Sequence, residues 1–380
     1  MTTSHIMKTY APAPVTFVRG AGTHLYDDTG KEYLDFLSGL AVTSLGHAHP
    51  KVAAAVTDQA NTLLHVSNLF ENELAPVVAD TLDGLIGGGG EVFFSNSGAE
   101  ANECAIKLAR LAGGPGKHVI ISAFGSFHGR TLATLHATGQ PAKHEKFQPL
   151  PEGFAHSAAF DIDDIDRMID ASTAGILIEV VQGEGGVHAA PEGFVKELRQ
   201  LCDERGVLML VDEVQTGLGR TGEWFGFQHS VVRPDIVTVA KALGNGVPIG
   251  ACWARAEVSS VFEPGDHGST YGGQPFATAA AKATLDELIA IDAPACARRQ
   301  GARLADGLIA LDAVTAVRGM GLLLGAELAA GNAKAMNAAL LEAGLVVNAV
   351  TETALRFAPP LNVSDAEVDA ALAICKEVLV

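Results

Sequence analysis

The chain has 380 residues, with 26 basic and 44 acidic side chains, and a formal charge of −18. Hydrophobic residues make up 48% of it, enough for an ample core in one large bipartite domain or two domains. The acidic balance argues against nucleic acid or anionic membrane as partners. Small anionic substrates stay open, because a pocket can be locally basic.

The five cysteines (Cys104, Cys202, Cys252, Cys296 and Cys375) are scattered and form no C-x-x-C pair. That usage fits buried free thiols in a reducing cytoplasm. There is no apolar run of membrane-spanning length and no signal-like start, so a soluble, unexported, cytoplasmic protein is expected. The opening MTTSHIM carries no structural signal. Residues 15–36 read as a meander of three short alternating segments, VTFVRG, THLYDDTG and KEYLDF, with turn chemistry at 20–22 and 27–30. Residues 44–50, SLGHAHP, form a loop with two histidines, and residues 51–64 a helix.

From about residue 91 to residue 254, strands alternate with helices. The predicted strands are 92–94, 119–122, 176–179, 207–211, 236–239 and 250–254. This alternation predicts an α/β fold, a mostly parallel sheet with helices on both faces. Residues 276–291 are Ala-rich and form a helical connector. The remainder has the pattern of a smaller α+β unit. Residues 314–328 are strand-like with Gly breaks, 333–343 are helical, and 346–350 and 355–358 are strands. The last helix opens with the capping box Ser364-Asp365-Ala366-Glu367 and carries Val368, Leu372, Cys375 and Leu379 on its apolar face.

The chemistry centres on residues 207–244. Two apolar runs there end on Asp212-Glu213 and Ala240-Lys241. Ligands in open α/β sheets sit outside the carboxyl ends of such strands, so Asp212 and Lys241 should share one crevice. Spacing leaves two readings open: an ion pair, or a cofactor site in which a lysine binds an aldehyde and an acid partners a ring nitrogen. Ser95 to Glu100, SNSGAE, follows a strand and opens a helix running to about Ala112. It reads as an ordinary N-cap serine or as a phosphate site on exposed N–H groups. In FHGRT, Phe127 would by default be core and Arg130 solvated. Glu184 in QGEGG would be a loop acid, and GSTYGG at 268–273 a flexible turn. There is no G-x-x-x-x-G-K-[ST], H-E-x-x-H or G-x-S-x-G stretch. His47 and His49 lack further ligands at metal spacing, so no metal is expected.

The wording of these stretches separates the readings. SNSGAEANECAIKLAR, FHGRT, QGEGG, DEVQTGLGRTG, AKALGNGVPIGA, GSTYGG and LRFAPPL occur together and in order. The chain thereby closely resembles the class III pyridoxal phosphate aminotransferases over nearly its whole length, and within them the acetylornithine group. The resemblance implies fold type I, with a large domain at 44–274 and a small domain made of 1–43 and 275–380. It implies pyridoxal 5′-phosphate carried on Lys241, with Asp212 on the ring nitrogen. Phe127 and Val214 would lie on opposite ring faces, Gln215 on the ring hydroxyl, and Glu213 among the cofactor residues. Gly98 and Ala99 would meet the phosphate; many relatives have Thr where this chain has Ala99, so only backbone contact is retained there. His128 would order its loop. Arg130 would hold a substrate carboxylate, Ser269 would lie near substrate, and Glu184 would pair with Arg356. Thr270 would reach the phosphate of a neighbouring subunit, which implies a homodimer with shared sites. The implied reaction moves the terminal amino group of N2-acetyl-L-ornithine to 2-oxoglutarate, giving glutamate. Other class III reactions, on ornithine, succinylornithine, succinyl-diaminopimelate or 4-aminobutyrate, or an aminomutase, are the alternatives, as is a non-catalytic binding protein.

Overall fold

The computed structural model describes residues 5–379; residues 1–4 and Val380, which belong to the expected small domain, lie outside the described residues. Its centre is a seven-stranded sheet: β1 (Gly90–Ser95), β2 (Val119–Ala123), β3 (Phe154–Ser157), β4 (Thr173–Ile178), β5 (Leu208–Asp212), β6 (Ile236–Val239) and β7 (Gly250–Arg255), in the spatial order β1-β7-β6-β5-β4-β2-β3. The β4 and β6 residues are all buried, and β5 nearly so. That is why these strands read as continuous apolar runs rather than alternating ones.

Pairings β6–β5, β5–β4, β4–β2 and β2–β3 are parallel, while β7 is antiparallel to both β6 and β1. The exception has a physical cause. Only residues 240–249 separate β6 from β7, and they hold no more than the 3-10 turn Lys241–Gly244. A parallel return needs a crossover of a dozen residues or more. Strand β3, FAHS, is absent from the sequence prediction because it is short and carries a histidine and a serine.

The meander forms as expected, with strands Phe17–Ala21, His24–Asp27 and Glu32–Asp35 pairing antiparallel. Its fourth strand comes from far along the chain: Leu345–Val346 pairs parallel with Glu32–Asp35. The single strand expected at 346–350 is therefore split. Leu345–Val346 belongs to the meander sheet, while Asn348–Ala349 belongs to a separate sheet with Ala354–Phe357, Leu323–Leu328 and Val314–Met320. The chain changes sheets at Val347, whose side chain is buried between them.

The helices Pro50–Thr62, Pro275–Ala290 and Ala333–Glu342 match expectation to within a residue or two. The capping box of the last helix is formed in both directions: Glu367 N–H donates to Ser364 Oγ (3.3 Å), and Ser364 N–H donates to Glu367 Oε2 (2.7 Å). All five cysteines are free; four are buried and Cys296 is half-buried. Among the described residues no helix is long and apolar enough to cross a membrane.

Candidate active site

The carboxyl ends of β1, β2, β4, β5 and β6 open onto one cavity of about 440 Å³. Each strand end delivers side chains to it. Gly98 and Ala99 follow β1, and Phe127 and Arg130 follow β2. Glu179 and Glu184 follow β4, Asp212, Val214 and Gln215 come from β5 and its turn, and Lys241 follows β6. Asp212 and Thr238 are registered opposite each other across β5 and β6, which is why Asp212 and Lys241 reach the same space.

Asp212 is almost fully buried. Its Oδ1 accepts from Val214 N–H (3.0 Å), and its Oδ2 accepts from Asn102 Nδ2 (2.7 Å) and lies 2.8 Å from His128 Nδ1. Asn102 is itself fixed, since its Oδ1 accepts from Thr238 Oγ1 (2.7 Å) and its Nδ2 also donates to His128 O (2.8 Å). Neither Asn102 nor the ring of His128 stood out in the sequence as a partner of Asp212. The signal was available: Asn102 is a polar residue on the apolar face of its helix, beside Ala101, Ala105 and Ala109.

Lys241 has φ 43°, in the left-handed region that non-Gly residues seldom occupy. Such backbone is retained where the surroundings over-determine it, often at functional sites. Burial, followed by the positive charge of Arg356, lowers the Lys241 amine to about 8. Glu179, which sequence reading counted only as a strand end, accepts from Phe127 N–H (2.9 Å) and sets the position of that ring. Burial, and then the Asp212 carboxylate, push Glu179 well above the usual carboxylate range.

At the β1 end, Ser97 caps the sixteen-residue helix Gly98–Gly113, its hydroxyl accepting from Glu100 N–H (3.2 Å). A Cβ on Gly98 would fall 2.9 Å from both methyl carbons of Val214, so only glycine lets this helix start so close to the β5 turn. Glu184 and Arg356 form the expected pair at 2.6 Å, with Arg356 fully buried and its Nη1 also donating to Gln215 Oε1 (3.3 Å). Burial works to raise Glu184, but Arg356 outweighs it and the carboxyl ends below its usual range.

Besides Arg356, which meets the cavity wall through Glu184 and Gln215, three expected site residues stand apart from it. Glu213 is fully buried and directed at its own loop, accepting from Gly226 N–H (3.0 Å), Phe227 N–H (2.9 Å) and Thr216 Oγ1. Ser269 touches the wall through Asn96, whose Nδ2 donates to Ser269 Oγ (3.2 Å). Thr270 is exposed. Among the described residues no cluster of His, Cys, Asp and Glu could hold a metal ion.

Residues 6–379 match the family described as Aminotransferase class-III, and the chain belongs to it. It is 46% identical to an acetylornithine aminotransferase of Aquifex aeolicus (strain VF5), over 99% of this chain and all of that one. A second acetylornithine aminotransferase, of Gloeobacter violaceus, is 47% identical over 98% of this chain and 95% of its own. Among solved structures, an ornithine aminotransferase from Toxoplasma gondii superposes with a TM-score of 0.94 at 32% identity, covering 99% of this chain and 92% of that one. The fold is therefore type I of the pyridoxal phosphate enzymes, and the protein is a transaminase dependent on that cofactor.

The residues present fit the cofactor. The cavity wall offers an amine (Lys241), a carboxylate (Asp212), the start of a helix at Gly98 and Ala99, and a half-buried aromatic ring (Phe127). Gln215 adds a buried Nε2 with no protein partner among the described residues, a donor left for a bound molecule.

The lowered Lys241 amine has a measurable consequence. In cofactor-free protein this side chain should pass from ammonium to reactive amine near pH 8, below the range of solvated lysines. Peptide-resolved labelling with an acylating reagent across pH 6–11 checks this. A Lys241 midpoint coinciding with that of exposed Lys376 would contradict it.

Proposed function

We propose that the protein transfers the terminal amino group of N2-acetyl-L-ornithine to 2-oxoglutarate, giving N-acetyl-L-glutamate 5-semialdehyde and L-glutamate, a step of arginine biosynthesis. Full-length identity to acetylornithine aminotransferases supports the donor. The observation that carries the reading is the Glu184–Arg356 pair beside Arg130, which is paired with no carboxylate among the described residues. When bound, pyridoxal phosphate accepts the amino group from one substrate and passes it to the next.

The chain's own residues divide the work. Lys241 holds the cofactor at rest and, once released, moves a proton to and from the substrate carbon, which an amine lowered to about 8 can do near neutral pH. Asp212, braced by Asn102 and His128, supplies the charge that keeps the ring nitrogen protonated. Phe127 and Val214 would take the two ring faces, Gln215 the ring hydroxyl, and the N–H groups of Gly98 and Ala99 the phosphate. Arg130 anchors a substrate carboxylate through its planar fork, with Ser269 nearby. Glu213 contributes by pinning the turn after Asp212.

Glu184 and Arg356 switch the site between its substrates. The donor's reacting amine is far from its carboxylate, whereas the ketone of 2-oxoglutarate adjoins one. A bare arginine beside the cofactor would favour ordinary α-amino acids. Paired with Glu184, Arg356 is neutralised while the donor reacts; unpaired, it holds the α-carboxylate of 2-oxoglutarate.

We further propose a large domain at 44–274 with 1–43 and 275–380 forming a small one, in keeping with the strand Leu345–Val346 joining the meander. The proposal extends to a cytoplasmic homodimer in which Thr270, exposed on a single chain, reaches the partner's phosphate. Sedimentation of the loaded enzyme at micromolar concentration should give twice the 39.3 kDa chain mass, and a monomer there would remove the shared site.

A donor panel tests the reaction. Acetylornithine with 2-oxoglutarate should exceed ornithine, 4-aminobutyrate and the N-succinyl donors in kcat/KM. A faster rate on any of these would reassign the substrate. For the switch, Glu184→Ala should speed the single-turnover reaction with glutamate relative to acetylornithine by about tenfold, the scale of one charge-assisted hydrogen bond. Arg356→Ala should slow glutamate and 2-oxoglutarate selectively. Equal slowing of both half-reactions in both variants, with a parallel fall in stability, would make the pair structural.

A further inference from the structure

Two cations stand by the ring of Phe127. The guanidinium carbon of Arg130 lies 5.6 Å from the ring centroid, and Nζ of Lys143 lies 5.1 Å from it. Burial, and then the like charge of Arg130, hold the Lys143 ammonium below its usual range, with Glu184 pulling the other way. Among the described residues neither cation is paired with a carboxylate. Glu184 is taken by Arg356, and Lys143 Nζ donates instead to the neutral Oε1 of Gln140.

The arrangement is braced. Gln140 Nε2 donates to Ser126 O (2.9 Å), and Gly139 N–H donates to Ser126 Oγ (3.1 Å). Lys143 closes the single 3-10 turn Pro141–Lys143 that follows Gln140. Lys143 is half-buried and Arg130 is exposed on the cavity wall, and two like charges beside one ring repel each other unless an anion joins them.

We propose that Lys143 and Arg130 form a two-cation clamp for the substrate carboxylate remote from the transferred amino group, which makes Lys143 a specificity-determining residue. This rests on the reading of Arg130 given above. In the donor the clamped group is the α-carboxylate of acetylornithine; in 2-oxoglutarate it is the γ-carboxylate. A carboxylate has lone pairs enough for both partners: the guanidinium fork takes one edge and the ammonium another.

The test compares acetylornithine with N-acetylputrescine, the same donor lacking the carboxylate, on cofactor-loaded enzyme. Lys143→Gln should lower the kcat/KM preference for acetylornithine over N-acetylputrescine by about tenfold, the change entering through KM. Lys143→Arg, which keeps the charge, should recover most of that preference. The inhibition constant of glutarate, an unreactive dicarboxylate, should rise alongside in Lys143→Gln. Arg130→Gln is measured in parallel. If it erodes the preference and Lys143→Gln does not, the clamp is wrong and Arg130 acts alone. If neither variant erodes it, the reading of Arg130 has failed and the clamp falls with it.

Discussion

A single buried carboxylate, Asp212, dictates most of the architecture around the cavity. A carboxylate so far from water is tolerated only where donors surround it. Here the donors come from three separate parts of the chain: the β5 turn through Val214, the helix Gly98–Gly113 through Asn102, and the FHGRT loop through His128. Each donor is tied to something else. Asn102 is held by Thr238 on β6, and His128 N–H donates to Thr138 Oγ1 (2.9 Å). The strand that presents Asp212, the strand that leads to Lys241, the helix Gly98–Gly113 and the loop bearing Phe127 and Arg130 are thus joined through one carboxylate. In such a network the partners stabilise one another, and the loss of any one is felt by all.

The same cavity explains how an acidic protein can serve anionic substrates. The chain carries a net −18, yet Arg130, Lys143, Lys241 and Arg356 converge at the sheet's carboxyl edge. Against them stand Asp212 and Glu184, while burial favours the neutral form of Glu179. The local balance of charge thus departs from the sign of the whole molecule, and exposed acidic side chains more than about 10 Å away are largely screened by water and salt.

Much of this was legible in the sequence for a simple reason. Buried parallel strands must be apolar along their whole length, and they end where polar residues begin, so Asp212 and Lys241 could be read as strand-end groups before any coordinates. What stayed hidden was whatever depends on contacts distant in sequence. Asn102 looks like a helix residue until Thr238 and Asp212 are beside it. Lys143 looks like a solvated charge until the ring of Phe127 is beneath it. The reversal of β7 follows from a connection too short to cross over, and the break at Val347 from two sheets competing for one segment. Neither is written in the local pattern of apolar and polar residues.

That break at Val347 bears on the order in which the molecule can be built. The three meander strands leave the ribosome well before the strand that completes their sheet, Leu345–Val346, has been made. Lys31, which donates through Nζ to the carbonyl of Glu342, waits for a partner 311 residues away. At roughly 5–20 residues per second, that interval lasts on the order of 15–60 seconds. For that time the outer edge of Glu32–Asp35 has unpaired backbone groups, an edge to which other strands can add. Completion of the meander sheet thus waits for the synthesis of Leu345–Val346, and a chain truncated before Leu345 would leave that edge open for good.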